Sequence, residues 1–98
     1  MTTKGYTYKG FTNYETWAVS LRIDNDLVSK KYYWLETARA CHGPNDLAER
    51  LENEHRDSFI ELMPGNNVFS DLVGAALSSV NWHEIAEKLI HLAAEIPS

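Results

Sequence analysis

The chain has 98 residues, 44% hydrophobic and 11% aromatic, which is enough for one domain with its own core and too few for two. Nine Lys and Arg against fourteen Asp and Glu leave a net charge of -5, which argues against nonspecific binding to a nucleic-acid backbone. A single cysteine excludes an internal disulfide framework, and the lack of a long apolar run or signal sequence predicts a cytoplasmic protein with no membrane segment.

The N-terminal segment, residues 1–11, is predicted to be an extended arm or a short strand that lies against the body, because its glycines and alternating tyrosines do not fit a helix. Thr12 and Glu15 have the spacing of a capping box, so the first helix should begin here and end at residues 24–26. The apolar side chains of this helix recur at helical spacing and predict one buried face. That face comprises Tyr14, Trp17, Ala18 and Leu21.

Two helices should follow. The second is placed from Leu27 to about Ala40, with Tyr33 pointing away from its buried side, and the third from about Asp46 to Leu62. The buried side of the second helix comprises Leu27, Val28, Lys31, Tyr32, Trp34, Leu35, Ala38 and Cys41. The inner stripe of the third comprises Leu47, Leu51, His55, Phe59 and Leu62.

The last third of the chain predicts two more helices. The fourth, from about Val68 to Ser79, is apolar almost all round and is expected to be the central element. Asn81 and Glu84 have a second capping-box spacing, which opens a fifth helix that Pro97 closes. The buried face of this helix comprises Ile85, Ala86, Leu89, Leu92, Ala93 and Ile96. The sequence therefore predicts an all-α fold, a compact bundle of about five short helices that forms a single domain over residues 1–98.

Metal and cofactor sites find little support in the sequence. A calcium loop starting at Asp24 would lack the glycine at its sixth position and the glutamate at its twelfth. His83, Glu87 and His91 recur every four residues on one helix face, which is compatible with a weak metal site or with a solvated polar face. No glycine-rich phosphate loop is present, so we assign no metal and no cofactor.

Catalysis finds no support either. Cys41 and His42 are adjacent on a helix and point about 100° apart, so they do not form a nucleophile and base, and Cys41 is interpreted as a small hydrophobic residue at a helix end. His55 is interpreted as a hydrogen-bonded histidine at the edge of the core. The sequence therefore predicts that the protein is not an enzyme.

Charge divides the chain into two unlike halves. Residues 1–42 carry six basic and four acidic side chains, a net of +2, whereas residues 43–98 carry three basic and ten acidic ones, a net of -7. The third helix is either a solvated face with ordinary i, i+4 ion pairs or a surface that recruits a basic partner. The predicted partner-binding residues are Asp46, Glu49, Glu52, Glu54, Asp57 and Glu61, together with the outward Tyr33 as an aromatic anchor.

The N-terminal half offers a second candidate surface. Eight aromatic residues lie within the first 34 positions and are interleaved with basic ones, among them Lys30 and Lys31. Such a composition is typical of surfaces on which single-stranded nucleic acid stacks, although packing of the arm explains the same residues.

The segment from Gly10 to Trp17, with the run Asn-Tyr-Glu-Thr-Trp, continues through an apolar stretch to Asp24-Asn25-Asp26. It resembles the opening of small uncharacterised proteins encoded by phages, plasmids and bacterial genomes, many of which carry a second Trp at the position of Arg22. The resemblance implies a mobile-element accessory protein, among which inhibitors of host defence, including anti-CRISPR proteins, are frequent.

Two functions of different classes follow as hypotheses. The first is a non-enzymatic module that binds and inhibits a host protein or ribonucleoprotein complex through its acidic surface. The second is a direct binder of single-stranded nucleic acid that uses the aromatic and basic N-terminal half.

Overall fold

Five helices account for most of the residues that the computed structural model describes, which are residues 7–25, 30–63, 65 and 67–95, without the side chains at 24, 25, 30 and 31. No strand occurs within these ranges, so the predicted all-α bundle is confirmed. None of these helices is both long and apolar enough to cross a membrane. They are α1 (Tyr14–Asn25), α2 (Lys30–Ala40), α3 (Pro44–Leu62), α4 (Val68–Ser79) and α5 (Trp82–Glu95).

The central element of the bundle is α5. Its buried residues recur at i, i+3, i+4 and i+7, so they form one stripe that packs against both α2 and α3. The prediction for this face is confirmed, except that residue 96 lies outside the described ranges. Around this stripe the core is made of Trp82, Ile85, Ala86, Leu89 and Ala93 from α5, Trp34, Leu35 and Ala38 from α2, Leu47 and Leu51 from α3, and Ile23 and Val80.

The prediction that α4 is the central element is wrong. Within α4 only Ser70 is buried, and the helix packs at the edge of the bundle against α1 and α3. In a helix that is apolar almost all round, the sequence pattern does not indicate which side faces the bundle. Because α5 confines its apolar side chains to one face, it can pack against two neighbours and takes the central position instead.

The N-terminal arm folds back on itself where it is described. Tyr8 and Phe11 form two backbone hydrogen bonds of 2.8 Å across a tight turn. The central residues of this turn, Lys9 and Gly10, both have positive φ angles, as a primed hairpin turn requires. Residues 8–11 thus form a tight turn within the arm, and the ring of Tyr8 packs against Tyr14 and Trp17 of α1, whereas residues 1–6 lie outside the described ranges.

Helix α1 begins one residue later than the capping-box spacing predicts. Asn13, not Thr12, is the N-cap, and its Oδ1 accepts a hydrogen bond of 2.9 Å from the backbone N–H of Thr16. The buried face of α1 also comprises different residues from those predicted. Thr16 and Ile23 are buried and Val19 packs against the core, whereas the predicted face is partly buried or exposed: Tyr14, Trp17, Ala18 and Leu21.

Two further predicted core residues are exposed. Leu62 is the last residue of α3, whose buried residues Leu47 and Leu51 both lie in the first half of the helix, and it is 79% exposed. On α2, Tyr32 lies at the border of the buried stripe and faces solvent, while the predicted side chains at 27, 28 and 31 lie outside the described ones.

Candidate functional site

The candidate surface is the outer side of α3, which is fixed to the bundle by Leu47 and Leu51, both fully buried. Gly43 precedes the helix with a φ angle of 135°, a conformation that favours glycine, and Pro44 occupies the first helical position. The helix is therefore fixed at its start and along its inner face. Its polar side chains are displayed from a rigid support.

Asp46 belongs to the start of the helix. Its carboxylate accepts a hydrogen bond of 3.0 Å from the backbone N–H of His42 and one of 3.2 Å from the Nε of Arg50. These bonds, that from His42 first, hold the pKa of Asp46 below its ordinary value, because both favour the ionised form. Asp46 thus acts as a local anchor of the turn between α2 and α3.

Glu52 faces α4. Its carboxylate pairs with the Nε of Arg56 at 2.8 Å, the i, i+4 pairing that the sequence predicts. The Arg56 guanidinium also lies 3.4 Å from the hydroxyl of Ser78 on α4. This side of α3 is therefore engaged in contacts within the bundle.

Glu54 faces α2, where it accepts a hydrogen bond from the hydroxyl of Tyr33. The ring of Tyr33 is 44% exposed and packs edge-on against Trp34, with ring centroids 4.9 Å apart. The bond to Glu54 raises the pKa of Tyr33, since the phenol must stay protonated to donate it. Two of the predicted site residues are thus brought together, and they join α2 to α3.

The other three predicted carboxylates, Glu49, Asp57 and Glu61, are exposed and form no hydrogen bond or ion pair with any described residue. At 100° per residue they fall within an arc of about 120°, and they span about 18 Å along the helix. We call these three side chains the acidic row. It is the part of the predicted surface that remains available to a partner.

A polar network that the sequence did not predict joins the start of α1 to the junction of α4 and α5. Thr16 is fully buried; its hydroxyl donates to Asn13 Oδ1 at 2.6 Å and accepts from the backbone N–H of Asn81 at 2.8 Å. The side-chain amide of Asn13 donates to the carbonyl of Ser79 at 2.7 Å. The partners are 65 and 66 residues apart in sequence, so local spacing carries no signal of them.

The network continues through Thr12 and Glu84. The backbone N–H of Thr12 donates to Glu84 Oε1 at 2.9 Å, and its hydroxyl accepts from the side-chain amide of Asn81 at 3.0 Å. Asn81 Oδ1 accepts a hydrogen bond of 3.1 Å from the backbone N–H of Glu84. Asn81 is therefore the N-cap of α5, as its capping-box spacing with Glu84 predicts. The Glu84 carboxylate does not accept from the backbone N–H of Asn81, as a full capping box requires, because it binds Thr12 instead. The Asn-Tyr-Glu-Thr-Trp run therefore lies in a structural junction.

Aromatic rings cluster at the N-terminal turn. Tyr8 contacts Tyr14 and Trp17 with ring centroids 5.2 and 5.0 Å away, and the ammonium of Lys9 lies 5.6 Å from the centre of the Trp17 ring. A groove of about 730 Å³ lies beside this cluster, between α1 and α5. The rings of Tyr8 and Trp17 are engaged with one another, while Tyr14 remains 55% exposed.

The remaining reactive side chains occupy structural positions. His55 binds the carbonyl of Leu51 at 2.8 Å and lies between the rings of Trp34 and Trp82, which confirms its interpretation as a core-edge histidine. The thiol of Cys41 donates to the carbonyl of Ala38 at 3.1 Å, at the end of α2. Within the described part of the chain, no three His, Cys, Asp or Glu side chains are grouped so as to hold a metal ion.

Comparison with known proteins adds a family and no activity. No curated protein and no solved structure matches the chain. One family model matches residues 4–96, which is nearly the whole length. The chain therefore belongs to the family described as "Family of unknown function (DUF7249)".

Proposed function

We propose that the protein is a non-enzymatic binding module that attaches to a basic surface of a host protein or ribonucleoprotein complex through the acidic row. The observation that carries this proposal is the division of the α3 carboxylates. Asp46, Glu52 and Glu54 are neutralised or bonded within the bundle, whereas the acidic row has no such partner among the described residues.

Electrostatics beyond the row supports the same choice of partner. Residues 57–87 contain no Lys or Arg, so the carboxylates at the end of α3 have no compensating cation in the segment that follows them. Such a one-signed field accelerates encounter with a basic surface and repels anionic ones. A partner that normally binds nucleic acid would offer the required basic cleft.

The resemblance of the opening segment to phage and plasmid proteins supports a biological setting. In that setting the protein acts in the cytoplasm of a bacterial host and inhibits a nucleic-acid-handling or defence complex, as anti-CRISPR proteins do. Occupation of a basic cleft by the acidic row would compete with nucleic acid for the same site. This step rests on the resemblance and on charge, and not on a shared fold.

The test is a capture experiment from bacterial lysate with two charge-matched variants, read by quantitative mass spectrometry. The first variant reverses the acidic row: Glu49→Lys, Asp57→Lys and Glu61→Lys. The control reverses three exposed carboxylates elsewhere: Glu36→Lys, Glu87→Lys and Glu95→Lys. A partner retained by the wild type and the control but lost by the first variant supports the proposal. Equal retention by both variants contradicts it.

The alternative function, binding of single-stranded nucleic acid, is favoured by the exposed ring of Tyr14 and the cation of Lys9 beside the aromatic cluster. The assay is fluorescence anisotropy with an oligonucleotide at ~0.15 M salt. If this alternative holds, reversal of the acidic row strengthens binding and Lys9→Ala weakens it. Absence of binding by the wild type rules the alternative out.

A further inference from the structure

Helix α4 exposes most of its large apolar side chains to solvent, whereas each of the other helices buries apolar side chains in the core. Val68, Phe69 and Leu72 are 61%, 65% and 63% exposed, and Val73 is 36% exposed. At 100° per residue these four side chains fall within an arc of about 140°. The opposite side, which faces α1 and α3, carries the buried Ser70 and the partly buried Leu77. The large apolar side chains thus point outward, and we call them the α4 face.

We propose that the α4 face is the interface through which two copies of this chain form a symmetric dimer. The exposed fractions of these four residues correspond to on the order of 400 Å² of accessible surface per copy, and Phe69, at about 150–250 Å² for an aromatic residue, supplies the largest share. Contiguous apolar surface of this size on a small monomer marks an interaction site. The inference is independent of the acidic row and of the function proposed for it.

The area of the α4 face is that of a weak dimer. Pairing two α4 faces removes about 800 Å² from these side chains alone, against the 1,200–2,000 Å² of a specific interface. The exposed Ala75 and Ala76 on α4 add a small further area, so the interface lies at the low end of the range, where weak and transient pairs are found.

The shape of the face favours a second copy over an unrelated partner. Its bulky residues lie in the first half of the helix, and the exposed residues of the second half are small: Ala75, Ala76, Ser78 and Ser79. Two antiparallel copies related by a two-fold axis place the bulky half of each helix against the small half of the other. The face is therefore complementary to itself, and no ionisable group lies within its arc, since Asp71 lies on the flank.

The charge of each copy determines whether added salt strengthens or weakens the dimer. Dimerisation brings together two copies of the segment 57–87, which contains acidic residues and no Lys or Arg. Added salt screens this repulsion, so the dimer should tighten as ionic strength rises. Binding of the acidic row to a basic partner should weaken under the same change, so the two interactions are distinguishable in one titration.

The test is sedimentation velocity of the full chain over about 5–500 μM, at about 0.05 and 0.5 M NaCl. The expected result is a shift from 11.2 kDa toward twice that mass with rising concentration, and a tighter dimer at high salt. Phe69→Glu and, separately, Leu72→Glu should raise the dimer Kd by at least about tenfold. The matched control Ala40→Glu adds the same charge at an exposed position of α2 and should stay within about twofold.

Circular dichroism first confirms that each variant is folded, and having two single variants on the face keeps the test valid if one of them is not. A wild-type mass of 11.2 kDa at every concentration overturns the proposal, and the occupant of the α4 face would then be another protein or a lipid surface. Equal dimerisation of the wild type and the folded variants overturns it as well. Weakening by salt overturns it too, because that response requires attraction between opposite charges.

Discussion

Replacing Thr16 by valine tests whether the junction between α1 and α5 holds the fold together. Valine preserves the branched shape of the fully buried side chain and removes only the hydroxyl. The variant loses the bonds of 2.6 Å to Asn13 and 2.8 Å from Asn81. At about 0.5–1.5 kcal/mol for the bond to Asn13, and about 1–3 kcal/mol for the backbone N–H of Asn81 left without a partner, Thr16→Val should lower the free energy of unfolding by about 1.5–4.5 kcal/mol.

The matched control is Thr16→Ser, which retains the hydroxyl and loses one methyl group, at a cost of about 1 kcal/mol. Urea unfolding followed by tryptophan fluorescence and by circular dichroism measures both variants, and agreement of the two probes checks that unfolding is two-state. For a domain of this size, the valine variant should also lower the Tm by roughly 10–25 °C. A valine variant at least as stable as the serine variant would refute the role given to the network.

Three further outcomes follow from burial and from the pKa shifts. Trp34→Ala should lower the free energy of unfolding by ~3–5 kcal/mol in urea, because Trp34 is buried. Trp17→Ala should lower it by only ~2 kcal/mol, because Trp17 is partly buried, and equal losses would show that Trp17 belongs to the core. Glu54→Gln should lower the pKa of Tyr33 in a titration of tyrosine absorbance, and the stabilisation from this pair should vanish as the pH rises through the raised pKa. Asp46→Asn should make the Tm fall less steeply as the pH is lowered. The lowered pKa of the Asp46 carboxyl stabilises the fold at pH values above the pKa of the unfolded chain, and this stabilisation is lost as the pH falls through the pKa of the folded protein. An unchanged decrease of the Tm at acid pH would contradict this.

Local periodicity predicted most of the fold because helices carry their own pattern. Leu47 and Leu51 on α3, and Ile85 and Ala86 on α5, recur at helical spacing and are buried as predicted. The pattern failed on α4, where apolar residues occupy nearly every position and no face is marked. It also failed by one residue at Asn13, since two adjacent residues could each serve as the cap and the long-range contacts of Thr12 decide between them.

The candidate site was predictable to the same limited degree. The pair of Glu52 and Arg56 follows from i, i+4 spacing, and the structure contains it. The bond between Tyr33 and Glu54 joins residues 21 positions apart, and it depends on how α2 lies against α3. Packing geometry of this kind has no counterpart in local sequence. It is this geometry that separates the acidic row from the carboxylates already engaged within the bundle.

The opening motif contributes no residue to the acidic row or to the α4 face. Asn13 and Thr16 contribute their side chains to the junction with Ser79 and Asn81, so a chain with the same motif has a physical reason to share this scaffold. No side chain of the acidic row or of the α4 face hydrogen-bonds to the junction, so the junction does not fix the chemistry of either surface. Shared motif residues therefore predict a shared fold, and they carry no prediction about which partner a chain of this fold binds.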